Sequence, residues 1–202
     1  MNRAGAFRRF ALVWLLLCIP AREARADWFV TPWVGLKFGG STNFTDWEQS
    51  IGEKKLVLGG SGGVLGSEFF GIEVDFGYAP RFFERTNDQV VRSNVTTLMG
   101  NIVIAVPLRL TRDSLRPYIV GGVGLMHVTI EEGTHRFDVD TNLLGLNVGG
   151  GAIGRLTNRA SIRFELRRFS NLTEPGEPVL IIDNGRTLLS FWRAAVGVTL
   201  QY

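Results

Sequence analysis

Hydrophobic and polar residues alternate along most of the chain, and the alternation is clearest at its end. From Trp192 to Tyr202 every second residue is apolar or aromatic, and the residues between them are polar or small. A period of two over this length predicts a β-strand with one apolar face. An aromatic residue stands at each end of that face, ten positions apart, which is the length of a tilted strand crossing a bilayer between two aromatic belts.

The same alternation predicts eight strands. Their predicted bounds are 28–38, 55–66, 72–79, 95–108, 117–131, 142–155, 160–169 and 191–202. Four longer polar connections alternate with three shorter ones, as in bacterial barrels with short turns on one side of the membrane and long loops on the other. The pattern therefore predicts an all-β fold, an eight-stranded antiparallel transmembrane up-and-down β-barrel.

Charges on the second face of the strands distinguish this fold from a soluble lipocalin-like barrel, which also alternates. A dry soluble core could not hold so many charges. A barrel with its apolar face towards lipid and its polar face inward accommodates them. The predicted lumen ion network comprises Glu73, Asp75, His127, Arg163, Glu165, Arg167 and Arg193.

In a closed order of eight strands, the third strand lies opposite the seventh, so charges on these two strands can meet across the lumen. The interior of such a barrel is just wide enough to be filled by side chains. We therefore expect the network to plug the lumen, with a proton or ion path and paired-carboxylate catalysis as alternatives. Aromatic residues expected at the two membrane interfaces are Trp28, Tyr78, Tyr118, Trp192 and Tyr202.

Residues 1–26 have the features of a cleaved secretory signal peptide, with a basic start, a short apolar run and a small-residue site before Asp27. A lipoprotein leader ending at Cys18 is the weaker alternative. Removing five of 22 basic and one of 19 acidic residues leaves 17 against 18, a net charge of −1 for residues 27–202. This near-neutral domain gives no reason to expect a nucleic-acid partner.

Two short motifs and the two histidines are the candidates for chemistry. Gly149–Gly154 matches G-x-G-x-x-G, but a strand is predicted after it where a dinucleotide site needs a helix, so we expect close-packed barrel wall. Arg168–Asn171 is similar to the H-x-S-N motif of outer-membrane lipid A 3-O-deacylases, with Ser170 at the nucleophile position. Arg168 replaces the histidine and cannot act as a base. Two isolated histidines and no cysteine after the leader predict no metal and no cofactor.

The leader, the eight segments and the terminal aromatic residue together resemble the small OmpA/OmpX-type outer-membrane barrels. The segments 71–78, 93–101, 116–125 and 191–193 resemble those of "outer membrane beta-barrel domain" proteins. The resemblance implies a bacterial outer-membrane location, outer-membrane lipid, lipopolysaccharide and the barrel-assembly machinery as partners, and a monomer. It implies no enzymatic activity. The expected function is structural or surface interaction through four outward loops, with a narrow porin-like channel or a lipid A-modifying enzyme as alternatives.

Overall fold

The computed structural model describes residues 26–42, 54–67, 69–80, 82, 90–111, 115–132, 139–172 and 189–202. The predicted leader with Cys18, His135 and most of the long connections lie outside these residues. The described residues form β1 (Ala26–Thr42), β2 (Lys55–Gly66), β3 (Phe70–Pro80), β4 (Val90–Ala105), α1 (Leu108–Thr111), β5 (Leu115–Glu132), β6 (Val139–Arg155), β7 (Ala160–Asn171) and β8 (Leu189–Gln201).

Every strand pairs antiparallel with the next one along the chain, and β8 pairs with β1, which closes the barrel. The predicted fold is therefore confirmed. At the closing seam the inward hydroxyls of Thr31 and Thr199 lie 2.8 Å apart. The register of the seam shifts between Phe38 and Gly40, and Gly39 has a φ of 55° there. Glycine adopts this left-handed conformation without steric cost, which suits a bulge that bends the strand.

The two ends of the barrel differ in their connections. We call the end that joins β2 to β3, β4 to β5 and β6 to β7 the turn end, and the opposite end the loop end. At the turn end, Arg116 donates from Nε to the carbonyl of Val106 and from Nη2 to that of Gly66, both at 2.8 Å. The predicted extension of the fourth strand to Leu108 is wrong: β4 ends at Ala105, because Pro107 lacks the N–H that a strand ladder needs.

The outward face of the barrel is apolar, as the alternation predicts. On β3 the exposed residues are Ile72, Val74 and Phe76, while Glu73 and Asp75 between them are buried inside. In the described part of the chain, no helix is long and apolar enough to cross a membrane. The glycine-rich motif lies within β6, and a four-residue turn at 156–159 leads from it to β7 rather than into a helix.

Inside the barrel, side chains form three layers along the axis. The turn-end apolar layer consists of Phe29, Leu65, Val103, Ala105, Tyr118, Val120 and Ile153. The loop-end apolar layer consists of Trp33, Val57, Ala79, Phe82, Val95, Met99, Met126, Val128, Phe169, Leu189 and Phe191. Between them lies the ionic layer, formed by Glu73, Asp75, Arg163, Glu165, Arg167 and Arg193.

Candidate functional site

The ionic layer contains three guanidinium groups and three carboxylates, so its formal charges balance. The alternation of β3, β7 and β8 directs all six side chains inward. Buried charges are costly unless each is paired and hydrogen-bonded. The layer meets this requirement because Glu73 and Glu165 each contact more than one arginine, and Asp75 pairs with Arg193.

Glu73 on β3 contacts two arginines of β7 across the lumen. Arg163 Nη1 lies 2.5 Å from Glu73 Oε2, and Arg167 Nη2 lies 2.6 Å from Oε1. The side chains of Glu73 and Arg167 are fully buried. These two ion pairs join residues that are 90 and 94 positions apart in the sequence. They therefore tie opposite walls of the barrel together.

Glu165 is the centre of the layer, because it contacts all three arginines. Its Oε2 accepts from Arg163 Nη2 at 2.9 Å and from Arg167 Nη2 at 2.5 Å, and its Oε1 accepts from Arg193 Nη2 at 3.0 Å. The hydroxyl of Tyr118 donates to Oε2 at 2.8 Å and accepts from Arg163 Nε at 2.7 Å. One carboxylate thus links β5, β7 and β8.

Arg193 and Asp75 form a two-pronged pair, with Nη1 and Nη2 at 2.8 and 3.1 Å from the two carboxylate oxygens. Such fork geometry is among the strongest ionic contacts. The guanidinium also lies 4.0 Å from the ring centre of Trp33. The indole fits because the facing residue on β2 is Gly59, where a Cβ would overlap the ring.

A chain of amides extends the layer along β4 and β6. Asn147 donates to Asn101 at 2.7 Å, and Asn101 donates to Glu73 at 3.2 Å. Several buried polar atoms in or beside the ionic layer have no hydrogen-bond partner among the described residues: Trp33 Nε1, Asn147 Oδ1, Arg167 Nε and Nη1, and Arg193 Nε. The polar interior is thus held mainly by ion pairs, with four donors and one acceptor unsatisfied among the described residues.

His127 does not belong to the network, and that part of the prediction is wrong. Its ring lies on the outward side of β5 and contacts Asn142 at 3.0 Å and Thr129 at 3.1 Å. Met126 and Val128, on either side of it, are fully buried inside the barrel. The phase of β5, meaning which of its two faces points inward, was predicted wrongly. The inward residues of β5 near the loop end are as apolar as lipid-facing ones.

The same error of phase affected Tyr118, which was predicted at a membrane interface. Tyr118 points into the barrel, is only 4% exposed and bonds to the ionic layer. Sequence reasoning also missed Asn101, although its inward position follows from the alternation of β4. Because Tyr118 has even spacing from Met126 and Val128, it shares their face of β5, so the one error of phase placed all three residues on the lipid side.

The other four interface aromatics lie on the outward face. Trp28 and Tyr202 are 67% and 80% exposed at the turn end, and Tyr78 is exposed on β3. Trp192 is partly exposed near the loop end of β8. Trp192 and Tyr202 thus mark the two ends of one strand, as belts at two interfaces would require.

The deacylase-like motif divides between the two faces of β7. Arg168 and Ser170 share the outward face, whereas Phe169 is buried inside. His127, the histidine that the structure describes, lies on β5, two strands away from β7. Ser170 therefore has no histidine beside it among the described residues. Within the same residues, no group of three His, Cys, Asp or Glu side chains is placed to hold a metal ion.

Comparison with known proteins gives one family and several similar folds. The family model described as "Outer membrane protein beta-barrel domain" matches residues 11–201. No curated protein gives a significant match. Among solved structures, Neisserial surface protein A (NspA) is similar with a TM-score of 0.60 and 13% identity, covering 87% of this chain and 97% of that chain.

Two further solved structures show the same architecture. The N-terminal β-barrel domain of Pseudomonas aeruginosa OprF gives a TM-score of 0.54 at 14% identity, covering 87% of this chain and 97% of that chain. Ail of Yersinia pestis, in complex with the heparin analogue sucrose octasulfate, gives 0.51 at 9% identity, covering 88% and 99%. At these identities the likeness shows a shared fold.

Proposed function

Since the chain belongs to the family of outer membrane protein beta-barrel domains, we propose that it forms a closed, non-conducting barrel of the bacterial outer membrane that presents its loop end to the cell exterior. Its role is then structural or adhesive, carried by the long connections at that end. The observation that supports this best is the charge-balanced ionic layer between two apolar layers.

Each of the three layers in the lumen would oppose the passage of an ion. Apolar side chains fill most of the two outer layers and offer little to replace a hydration shell, which makes entry unfavourable. The fully buried Lys37, whose Nζ donates to the carbonyl of Phe82 at 3.0 Å, further opposes a cation in the loop-end apolar layer. In the ionic layer each carboxylate is already engaged by arginines at 2.5–3.1 Å. The cavities bordering Arg163 measure about 10 Å³ each, whereas one water needs roughly 10–15 Å³.

Planar-bilayer recording tests closure. We expect no discrete conductance from the wild type, with insertion verified by the heat-modifiable gel mobility of a folded barrel. Discrete steps in the wild type that change in size in Glu165→Ala, but not in the neighbouring outward variant Leu166→Ala, would instead identify a narrow channel through the ionic layer. That result would contradict the proposal.

Orientation is tested separately, by placing an epitope tag in the connection 173–188 or in the turn 156–159. We expect antibody to label the first tag on intact cells, and to label the second only after the outer membrane is permeabilised. The reverse pattern would contradict presentation of the loop end. Equal labelling of both tags on intact cells would contradict an outer-membrane barrel of this topology.

A further inference from the structure

One charged side chain breaks the apolar outward face of the barrel. Among the outward strand positions whose side chains the structure describes, Arg168 on β7 carries the only full charge. Its guanidinium lies 5.9 Å from the ring centre of Trp192, and it has no carboxylate partner among the described residues. An arginine keeps its charge in proteins, so a lipid-facing position requires either water or an anion beside it.

The level of Arg168 along the barrel favours an anion from lipid. Arg168 stands opposite Trp192 in the β7–β8 register, and Trp192 marks the belt at the loop end. The cost of a lipid-facing arginine is lowest near such an interface. Lipid phosphates lie at this depth, and an exposed guanidinium binds phosphate through two parallel hydrogen bonds.

The neighbours of Arg168 complete an amphipathic arrangement. Ser170 and Ser190 face each other in the next outward row towards the loop end, where hydroxyls can donate to phosphate oxygens. In the opposite direction, Leu166 and Phe164 are exposed on the same face of β7. The polar side chains therefore lie towards the loop end, and the apolar surface runs towards the middle of the membrane. A phosphorylated lipid has the same order, with its phosphate at the interface and its acyl chains in the membrane.

We propose that Arg168, Ser170, Ser190 and Trp192 form a binding site for a phosphate group of lipid A on the outer wall of the barrel. The assignment to lipopolysaccharide rests on the proposed orientation, because the outer leaflet of this membrane is built from it. The Arg168 position, similar to the histidine of a lipid-modifying motif, then serves lipid binding through its charge rather than proton transfer.

The experiment measures lipid binding to the folded barrel in detergent by native mass spectrometry, with three probes: phosphorylated lipid A, the same lipid after dephosphorylation, and phosphatidylglycerol. We expect wild type to prefer phosphorylated lipid A over both other probes by about tenfold, the range of a hydrogen bond to a charged group. Arg168→Ala should lose that preference, and Arg168→Lys should keep part of it.

Arg159→Ala is the matched control, since Arg159 is an exposed arginine in the turn 156–159 at the other end. It should bind like the wild type. Unchanged lipid A binding by Arg168→Ala would overturn the site, and equally tight phosphatidylglycerol binding by the wild type would overturn its assignment to lipid A. Should Arg168→Ala fail to fold, the dephosphorylated probe on the wild type still decides.

Failure of this site is distinguishable from failure of the proposed function. Conductance of the wild type would contradict the closed barrel and leave lipid binding unaffected. Loss of lipid A preference would overturn the site and leave the closed lumen and the tag labelling as expected.

Discussion

The ionic layer and the loop-end apolar layer fill the same lumen by opposite means. In the ionic layer every group depends on a partner of opposite charge, such as Glu73 for Arg167 at 2.6 Å. In the loop-end layer Phe169 and Phe191 stack with ring centres 5.0 Å apart, and the fully buried Met99 belongs to the same cluster. Removing a group leaves an unpaired charge in the first layer and a cavity in the second. We therefore expect the stability of the ionic layer to depend on charge balance, and that of the loop-end apolar layer to depend on side-chain volume.

The largest effect is expected for Arg167→Met, which leaves Glu73 and Glu165 with one partner fewer in a buried site. Breaking a buried ion pair costs about 3–5 kcal/mol, so the free energy of unfolding in urea, followed by tryptophan fluorescence in lipid vesicles, should fall by that amount. Adding Glu73→Gln should recover part of the loss, because charge balance returns. Arg159→Met, which removes an exposed arginine of the turn 156–159, is the control. A loss no greater than that of the control would show that the layer is insensitive to charge.

Met99→Ala probes volume in the loop-end apolar layer. Met99 is fully buried, and large-to-small changes at such positions cost about 2–5 kcal/mol. The same unfolding measurement should give this loss, whereas Leu98→Ala on the exposed outward face should cost clearly less. A loss for Met99→Ala no larger than that for Leu98→Ala would contradict a loop-end layer that is sensitive to volume.

Gly59→Ala tests the contact between the two layers, where Trp33 lies under Arg193. A Cβ at Gly59 would overlap the indole and the backbone oxygen of Phe76, and overpacking of this kind costs about 1–3 kcal/mol. Gly60→Ala is the matched control, since a Cβ there would lie 3.7 Å from the backbone oxygen of Thr31, an ordinary contact distance. Equal unfolding free energies for the two variants would contradict a tightly packed contact at Gly59.

The smallest effect is expected for His127→Ala. Because His127 lies on the outward side of β5, its loss should change the unfolding free energy by no more than about 0.5 kcal/mol. Tyr118→Phe, which removes two hydrogen bonds to the ionic layer, should cost more. A large effect of His127→Ala combined with a negligible effect of Tyr118→Phe would instead support the arrangement predicted from the sequence, with His127 inside the barrel and Tyr118 outside.

The two strands β7 and β5 show why the sequence was informative in one place and misleading in the other. On β7 charges alternate with large apolar residues, so only one phase keeps Arg163, Glu165 and Arg167 out of lipid. On β5 both faces are apolar over much of their length and glycines occupy the centre. Hydrophobicity then cannot tell the lipid-facing side from the loop-end apolar layer, and the polar residues His127, Thr129 and Glu131 indicate the wrong phase.

The sequence by itself determined the number of strands, their order, the apolar outward face and the inward direction of six charges. These follow from the period of two, which is a local property of the chain. The partners of those charges were decided only by the tertiary structure. Barrel closure and register bring Glu73 to Arg163 and Arg167, residues 90 and 94 positions away, and place Tyr118 beside Glu165. Pairing across a lumen depends on geometry that no local pattern contains.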